Sequence, residues 1–356
     1  MNTITNHTKL IERIINAKPQ TVRLGIDQHA RDVVVAIKLD ASVPLRSQKM
    51  QSEQLLHLAK SLLKAAIKMS SVYEAGPCGY VLHRQLQKAG VKSLVIAPQL
   101  LGRGKSRKTD KIAAQALVAL LDSYERGNTK AFSVVHVPTE KQERERTQTR
   151  EREMYRKERL SWEHRGRSLM LRHGHHITGK WWQKKRWETL KETLPAWMHG
   201  SLESMREVIE KLDTLEKRER EKIEQTAPAS LPKALGALTW VVLSREAHGW
   251  KHFNNRRQVS SYTGLCPGVC QSGTSLKEGS IDRHGNCRIR ALLVEAIWRL
   301  SRWQPNYPPV QKLAEGIIRG SARKKLAVAA ARRLTVDIWR LSTSRTTPEK
   351  LGLVMT

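Results

Sequence analysis

The chain has 356 residues, enough for two or three domains, and carries 64 Lys+Arg against 33 Asp+Glu, a formal net charge of +31. A surplus this large implies a polyanionic partner, and nucleic acid is favoured over a membrane because no apolar run approaches the roughly 20 residues a span needs. Four cysteines, Cys78, Cys266, Cys270 and Cys287, are too few for a disulfide framework, the last three lack the paired spacing of a zinc knuckle, and the first stretch lacks the apolar core of a signal peptide, so a reduced, cytoplasmic, nucleoid-associated protein without membrane partners is expected.

In chain order, LIERIINA spells a short helix before a linker that ends at Pro19. Then RLGIDQHARDVVVAIKLD, residues 23–40, sets two short β-branched runs around a polar turn, which reads as a hairpin. Asp27 falls late in the first strand, where alternation would place an apolar residue. A carboxylate is costly to bury unless a cation meets it. Asp27 is therefore either a solvated turn residue or a metal ligand on a central strand. A third strand is expected over 43–49. An amphipathic helix over 53–69 follows, with Leu55, Leu58 and Leu62 at helical spacing.

Val72 and Tyr73 form a short strand that Glu74 ends and Gly76-Pro77 breaks. A helix over 80–89 and a strand over 93–97 come next. A basic loop with Arg103, Lys105, Arg107 and Lys108 leads to Thr109-Asp110, either of which can cap the helical run IAAQALVALLDSY. The order is three strands, helix, strand, helix, strand, helix. Strands of one mixed sheet bring their ends together, so Asp27, Glu74 and Asp110 can converge. Clustered carboxylates repel one another unless a divalent cation neutralises them, and oxygen ligands suit Mg²⁺ or Mn²⁺. Such a site can activate a nucleophile and stabilise a phosphoryl transition state. This is the logic of an α/β, RNase H-like nuclease fold.

From about Thr139 the composition turns to dense alternating charge, expected as a long exposed helix or a disordered arm, with helix favoured. A second helical run places Leu202, Met205, Ile209 and Leu212 at the spacing of a short coiled-coil seam. The two suggest an antiparallel projecting hairpin, serving as a spacer or in dimerisation. Between them, Trp181, Trp182 and Trp187 interleave with Lys184, Lys185 and Arg186. These aromatics either stack on bases while the cations hold phosphates, or pack the hairpin tip.

The last third opens with an apolar helix over 231–246 and a basic segment, NNRRQVSSY, that reads as a backbone-binding junction or as plain helical packing. Ser272 then lies in a loop bracketed by glycines and expected between two helices. Alone, a loop serine is usually a solvated turn residue, and no G-x-S-x-G elbow marks a hydrolase. A basic amphipathic helix closes the chain, with Leu326, Ala330, Leu334 and Ile338 on its core face.

GIDQH, YEAGPCGY and VIAPQLLGRGKSRKTDKIAAQAL resemble the RuvC-like domain of the DEDD-type insertion-sequence recombinases, transposases guided by a bridge RNA and related to the Piv/MooV invertases. GLCPGVCQSGTSLKEGSIDRHGNCRIRALLVEA is similar to the C-terminal transposase domain of that family. The resemblance spans about 20–125 and 230–345. It implies a RuvC-like domain over 1–130, a helical coiled-coil hairpin over 131–228 and a mostly α-helical serine transposase domain over 229–356. It also implies that Asp27, Glu74 and Asp110 are metal ligands, and that Ser272 attacks DNA to form a covalent phosphoserine link. Lys277, Arg283, Arg288 and Arg290 would then supply charge near the phosphate.

The further partners it implies are a structured noncoding bridge RNA, donor and target duplex DNA, and a dimer that assembles to a tetramer. One position departs from the pattern: Ala113 stands where the family has its fourth acid. Either this copy is naturally impaired, or Ala113 is a deliberate substitution that traps the complex before reaction, the surrounding motif being otherwise intact. Asp122, three helical turns on, is too far to replace it. Two other classes fit the residues: a metal-dependent Holliday-junction-type nuclease that ignores Ser272, and a catalytically dead nucleic-acid-binding relative.

Overall fold

A computed structural model describes residues 2–98, 109–272 and 275–356. The chain divides into two compact units, residues 1–137 and 138–356. The first is a mixed α/β sheet domain and the second is mainly helical.

In the first unit, α1 (Asn2–Asn16) precedes β1 (Thr21–Gln28), β2 (Val33–Leu39) and β3 (Gln48–Met50). Then come α2 (Ser52–Lys64), β4 (Lys68–Glu74), α3 (Val81–Ala89), β5 (Lys92–Ile96) and α4 (Asp110–Glu125). The sheet order is β3-β2-β1-β4-β5. β1 pairs antiparallel with β2 and parallel with β4, and β4 pairs parallel with β5. β3 is shorter than the expected strand and begins later, at Gln48, after Pro44, which has no backbone N–H to give a ladder.

β1 carries both faces of this unit. Val22, Leu24 and Ile26 pack with Ile14, Leu55, Leu58 and Leu86 from α1, α2 and α3. By the strand's two-residue period, Arg23, Gly25 and Asp27 face the opposite side. There α4 lies across the sheet, its Ala114 and Val118 packed on Val34 and Ala36. Gly25 permits the contact: a Cβ at this position would stand 2.3 Å from the Ala114 carbonyl oxygen and 2.4 Å from the Val118 nitrogen. Arg23 reaches the far end of α4, donating to Glu125 at 2.7 Å. β1 and α4 therefore run antiparallel, which brings the end of β1 to the start of α4.

In the second unit, α5 (Glu140–Arg172) and α7 (Ala196–Glu224) flank α6 (Lys184–Thr193). The two long helices are antiparallel, with Gln148 meeting Glu219, Arg152 meeting Glu216 and Arg159 meeting Asp213. Leu202 and Ile209 are buried as their spacing requires, in a small core with Met170, Trp181, Trp187 and Met198. Much of the remaining seam is ionic.

After these helices come α8 (Ala237–Glu246), α9 (Arg256–Thr263), β6 (Pro267–Ser272), β7 (Ser275–Ile281) and α10 (Cys287–Trp303). α11 (Gln311–Ala314), α12 (Gly320–Ser342) and α13 (Pro348–Leu351) complete the unit. Leu243, Trp250, Ile297, Tyr307, Leu334 and Trp339 belong to its core. β6 and β7 form a two-stranded antiparallel hairpin. The segment expected as a loop between two helices is thus a β-ribbon, and Ser272 ends its first strand.

Candidate functional site

The acidic site is built from β1, β4 and α4. Asp27 is the last residue of β1 on the face that α4 covers. The parallel register pairs Ile26 with Tyr73, so the next residues, Asp27 and Glu74, lie side by side on adjoining strand ends. Neighbouring strands are about 4.8 Å apart. Thr109 settles the capping question: its hydroxyl accepts from the Ile112 N–H, and Asp110 is left in the first turn of α4. A carboxylate there is favoured by the positive end of the helix dipole.

His29 completes the group. It follows Asp27 by two residues, and its Nε2 stands 3.7 Å from Asp27 Oδ2 and 3.4 Å from Asp110 Oδ2. Ligand atoms of Asp27, His29 and Asp110 all lie within 4.8 Å of one another. Two carboxylates and one imidazole on a half-open edge fit a divalent cation, with Glu74 one strand away. The imidazole suits Mn²⁺ better than Mg²⁺, which prefers oxygen ligands alone. Sequence reading missed His29 because it reads as a turn residue; the signal available was the i, i+2 spacing to Asp27.

Ala113 is buried, one turn into α4 beyond Asp110. Asp122 is committed elsewhere: Lys38 donates to it at 2.6 Å, and Arg126 and Arg23 stand at 3.0 and 3.6 Å. Burial opposes its charge, but the Lys38 hydrogen bond and the nearby cations prevail and hold its pKa below the usual carboxylate value. Arg103, Lys105, Arg107 and Lys108 lie outside the described residues.

Ser272 is exposed and pairs with Ser275 across the ribbon. The base of the ribbon is tightly fixed. Gly264 takes φ +65° as the C-cap of α9, and a Cβ on Gly285 would stand 2.2 Å from the Gly264 nitrogen. Arg290 Nη1 donates to the Thr263 carbonyl at 2.9 Å. Asn286 caps α10 through its oxygen and donates its Nδ2 to Glu246 at 2.9 Å. Glu246, fully buried, also accepts two hydrogen bonds from Arg150, both at 2.9 Å. Burial works against the Glu246 charge, yet the bonds from Arg150 and Asn286 lower its pKa.

Of the expected phosphate ligands, Arg288 is ion-paired with Glu153 at 2.8 Å and Arg290 holds the ribbon base. Arg283 is exposed, and Lys277 lies in β7. The expectation that Trp181 and Trp182 stack on bases is corrected. Both are buried; Trp181 donates to the Glu163 carbonyl at 3.0 Å and its ring lies where a Cβ of Gly166 would be. Lys184, Lys185 and Arg186 remain exposed beside that core.

Residues 231–310, which span α8 through the Ser272 ribbon to α10, match the model of the transposase IS116/IS110/IS902 family. The y4rJ protein of Sinorhizobium fredii, named as a transposase, is 30% identical over 306 residues, covering 76% of this chain and 76% of that protein. A second, y4qE of the same organism, is 30% identical over 285 residues, 76% of this chain and 68% of its own length. The transposase for insertion sequence element IS1533 of Leptospira borgpetersenii is 24% identical over 299 residues, 78% of this chain and 85% of that protein. These matches define the class of the protein as a transposase, a DNA recombinase enzyme. The chain belongs to the IS116/IS110/IS902 family. No helix among the described residues is long and apolar enough to cross a membrane.

Proposed function

We propose that this transposase joins donor and target DNA through a covalent serine–DNA intermediate, with a structured bridge RNA choosing the sites by base pairing. The observation that carries the reading is the convergence of Asp27, His29 and Asp110, ligand atoms within 4.8 Å, at the strand ends where Glu74 also lies. On this reading the first unit is RuvC-like and RNase H-like, and its mixed sheet order supports that. A divalent cation, Mg²⁺ or Mn²⁺, bound by these residues would withdraw charge from the scissile phosphodiester.

Ser272 Oγ would attack phosphorus, forming one P–O bond as a backbone P–O bond breaks. The deoxyribose hydroxyl leaves, and the serine proton is passed to that oxygen. One phosphodiester replaces another, so the bond energy is kept for a second attack by a hydroxyl of the other duplex. Arg283 would hold a non-bridging oxygen of the phosphate. The α5–α7 hairpin would act as a coiled coil joining protomers, so that the acidic site of one chain meets Ser272 of its partner. A dimer is then the minimum, and a synaptic tetramer carries exchange through a Holliday-junction-like intermediate. The charge of +31 suits holding RNA and DNA together.

The test is a denaturing-gel assay for a protein–DNA adduct with the element's own noncoding RNA, labelled donor and target DNA, and Mg²⁺ or Mn²⁺. The chain itself, Ala113→Asp, and Ala113→Asp with Ser272→Ala are compared. The expected result is an adduct that strengthens with Ala113→Asp and vanishes with Ser272→Ala. Cleaved DNA without an adduct, indifferent to Ser272, would replace this reading with a metal-dependent nuclease. Binding without cleavage in every version would leave a nucleic-acid-binding relative.

A further inference from the structure

A second basic site lies in the helical unit, where the NNRRQVSSY segment meets the last long helix. α9 and α12 enclose a cleft of about 380 Å³ lined by Arg256, Arg257, Arg332, Arg333 and Arg340, with Cys266 at the root of β6. Five guanidinium groups around one cleft repel one another, and the chain supplies little to offset them. The buried Asp337 meets Arg333 at 3.5 Å and Arg340 at 3.9 Å. Among the described residues, none forms an ion pair with Arg256, Arg257 or Arg332.

The placement of two of these arginines is unfavourable without a ligand. Arg256 and Arg257 occupy the first turn of α9, where the positive end of the helix dipole disfavours cations. Asn255 already satisfies the free N–H groups there, accepting from Arg257 and Gln258. The arginines are therefore not needed to finish the helix. A planar, always charged guanidinium is the side chain suited to a phosphodiester oxygen pair.

We propose that this cleft between α9 and α12 is a binding site for the phosphate backbone of duplex DNA. Duplex DNA is the occupant because the chain is a DNA recombinase and because the cleft adjoins Cys266, one residue before the strand that ends at Ser272. Backbone contacts fix register without reading sequence. The site would thus anchor a duplex without choosing it. It does not depend on Ser272 being a nucleophile, since its readout is binding alone.

The test measures affinity of the full chain for a random-sequence 30-base-pair duplex across a salt series. Each phosphate contact contributes about 0.9 to the slope of log Kobs against log salt. Arg256→Gln, Arg257→Gln and Arg332→Gln together are expected to reduce that slope by roughly 2 to 3. The Arg256→Gln, Arg257→Gln pair, both exposed and hence safe for folding, is expected to reduce it by about 2. Lysine at the same positions is expected to restore most of the slope. An unchanged duplex slope in the folded variants would overturn the proposal. So would a loss confined to an unrelated RNA stem-loop probed in parallel.

Discussion

His29 shows how much one residue alters the chemistry open to the site. Asp27 and Asp110 offer oxygen; His29 adds a nitrogen donor within 3.7 Å of both, on the edge where Ala113 adds no carboxylate. A set of this composition should bind Mn²⁺ in preference to Mg²⁺. His29→Ala is expected to weaken Mn²⁺ binding roughly tenfold, about 1.4 kcal/mol, and Mg²⁺ binding less, as read by the spin-resonance signal of free Mn²⁺ in a titration. An unchanged Mn²⁺ affinity would remove His29 from the site. Glu246 makes a prediction at the same scale. Its folded pKa lies below the ordinary carboxylate value, because the bonds from Arg150 and Asn286 outweigh burial. The stability it contributes is present above the unfolded pKa and is lost as pH falls through the folded one. Glu246→Gln should cost on the order of 2 kcal/mol at neutral pH and flatten the loss of stability below about pH 4.5, both seen in urea unfolding at stepped pH.

At the scale of elements, the first unit was largely legible and the Ser272 segment was not. The order of strands and helices up to Glu125 follows from local signals: β-branched runs on either side of a polar turn over 23–40, a period of 3.6 in Leu55–Leu62, and breaks at Pro77 and Pro98. The ribbon was missed because PGVCQS and SLKEGSI are short, polar and glycine-containing, so their alternation carries no apolar face. Trp181 and Trp182 were ambiguous because tryptophans among cations look alike in a stacking platform and in a capped core; Gly166, fifteen residues earlier than Trp181, decided it by making room for the ring. Of the arginine cleft, only the halves were legible: NNRRQVSSY reads as a backbone-binding junction and the last helix as basic, but their meeting across α9 and α12 depends on tertiary packing. Gly25 gives the element-scale test. Gly25→Ala places a Cβ 2.3 Å from backbone of α4, and backbone cannot rotate aside as a side chain can. Separation of β1 from α4 should cost about 1–3 kcal/mol and carry Asp110 away from Asp27. Thermal melting should fall by several degrees together with Mn²⁺ affinity. A loss of melting temperature with cation binding intact would mean that the site does not depend on this contact.

For the whole molecule, the division into two compact units raises the question of which chain completes which site. The carboxylates and His29 belong to the first unit and Ser272 to the second. If active centres are composite, with the acidic site of one protomer serving the serine of another, a defect in either can be supplied by a neighbour. Asp27→Ala removes a ligand and leaves Ser272 in place; Ser272→Ala does the reverse. Each alone, in the Ala113→Asp background, should lose adduct formation by a factor of 100 or more, the scale expected when a nucleophile or its charge stabilisation is removed. Mixed in equal amounts before assembly, they should recover roughly a quarter of the unmutated signal, because random pairing into dimers yields half mixed species and each mixed dimer holds one intact composite centre of two. Only the Asp27→Ala chain, which keeps its serine, should carry the labelled DNA, and a size tag on one chain makes that visible on the gel. Failure to recover activity, with both variants shown to co-assemble, would place each complete centre within a single chain and remove the catalytic reason for a dimer.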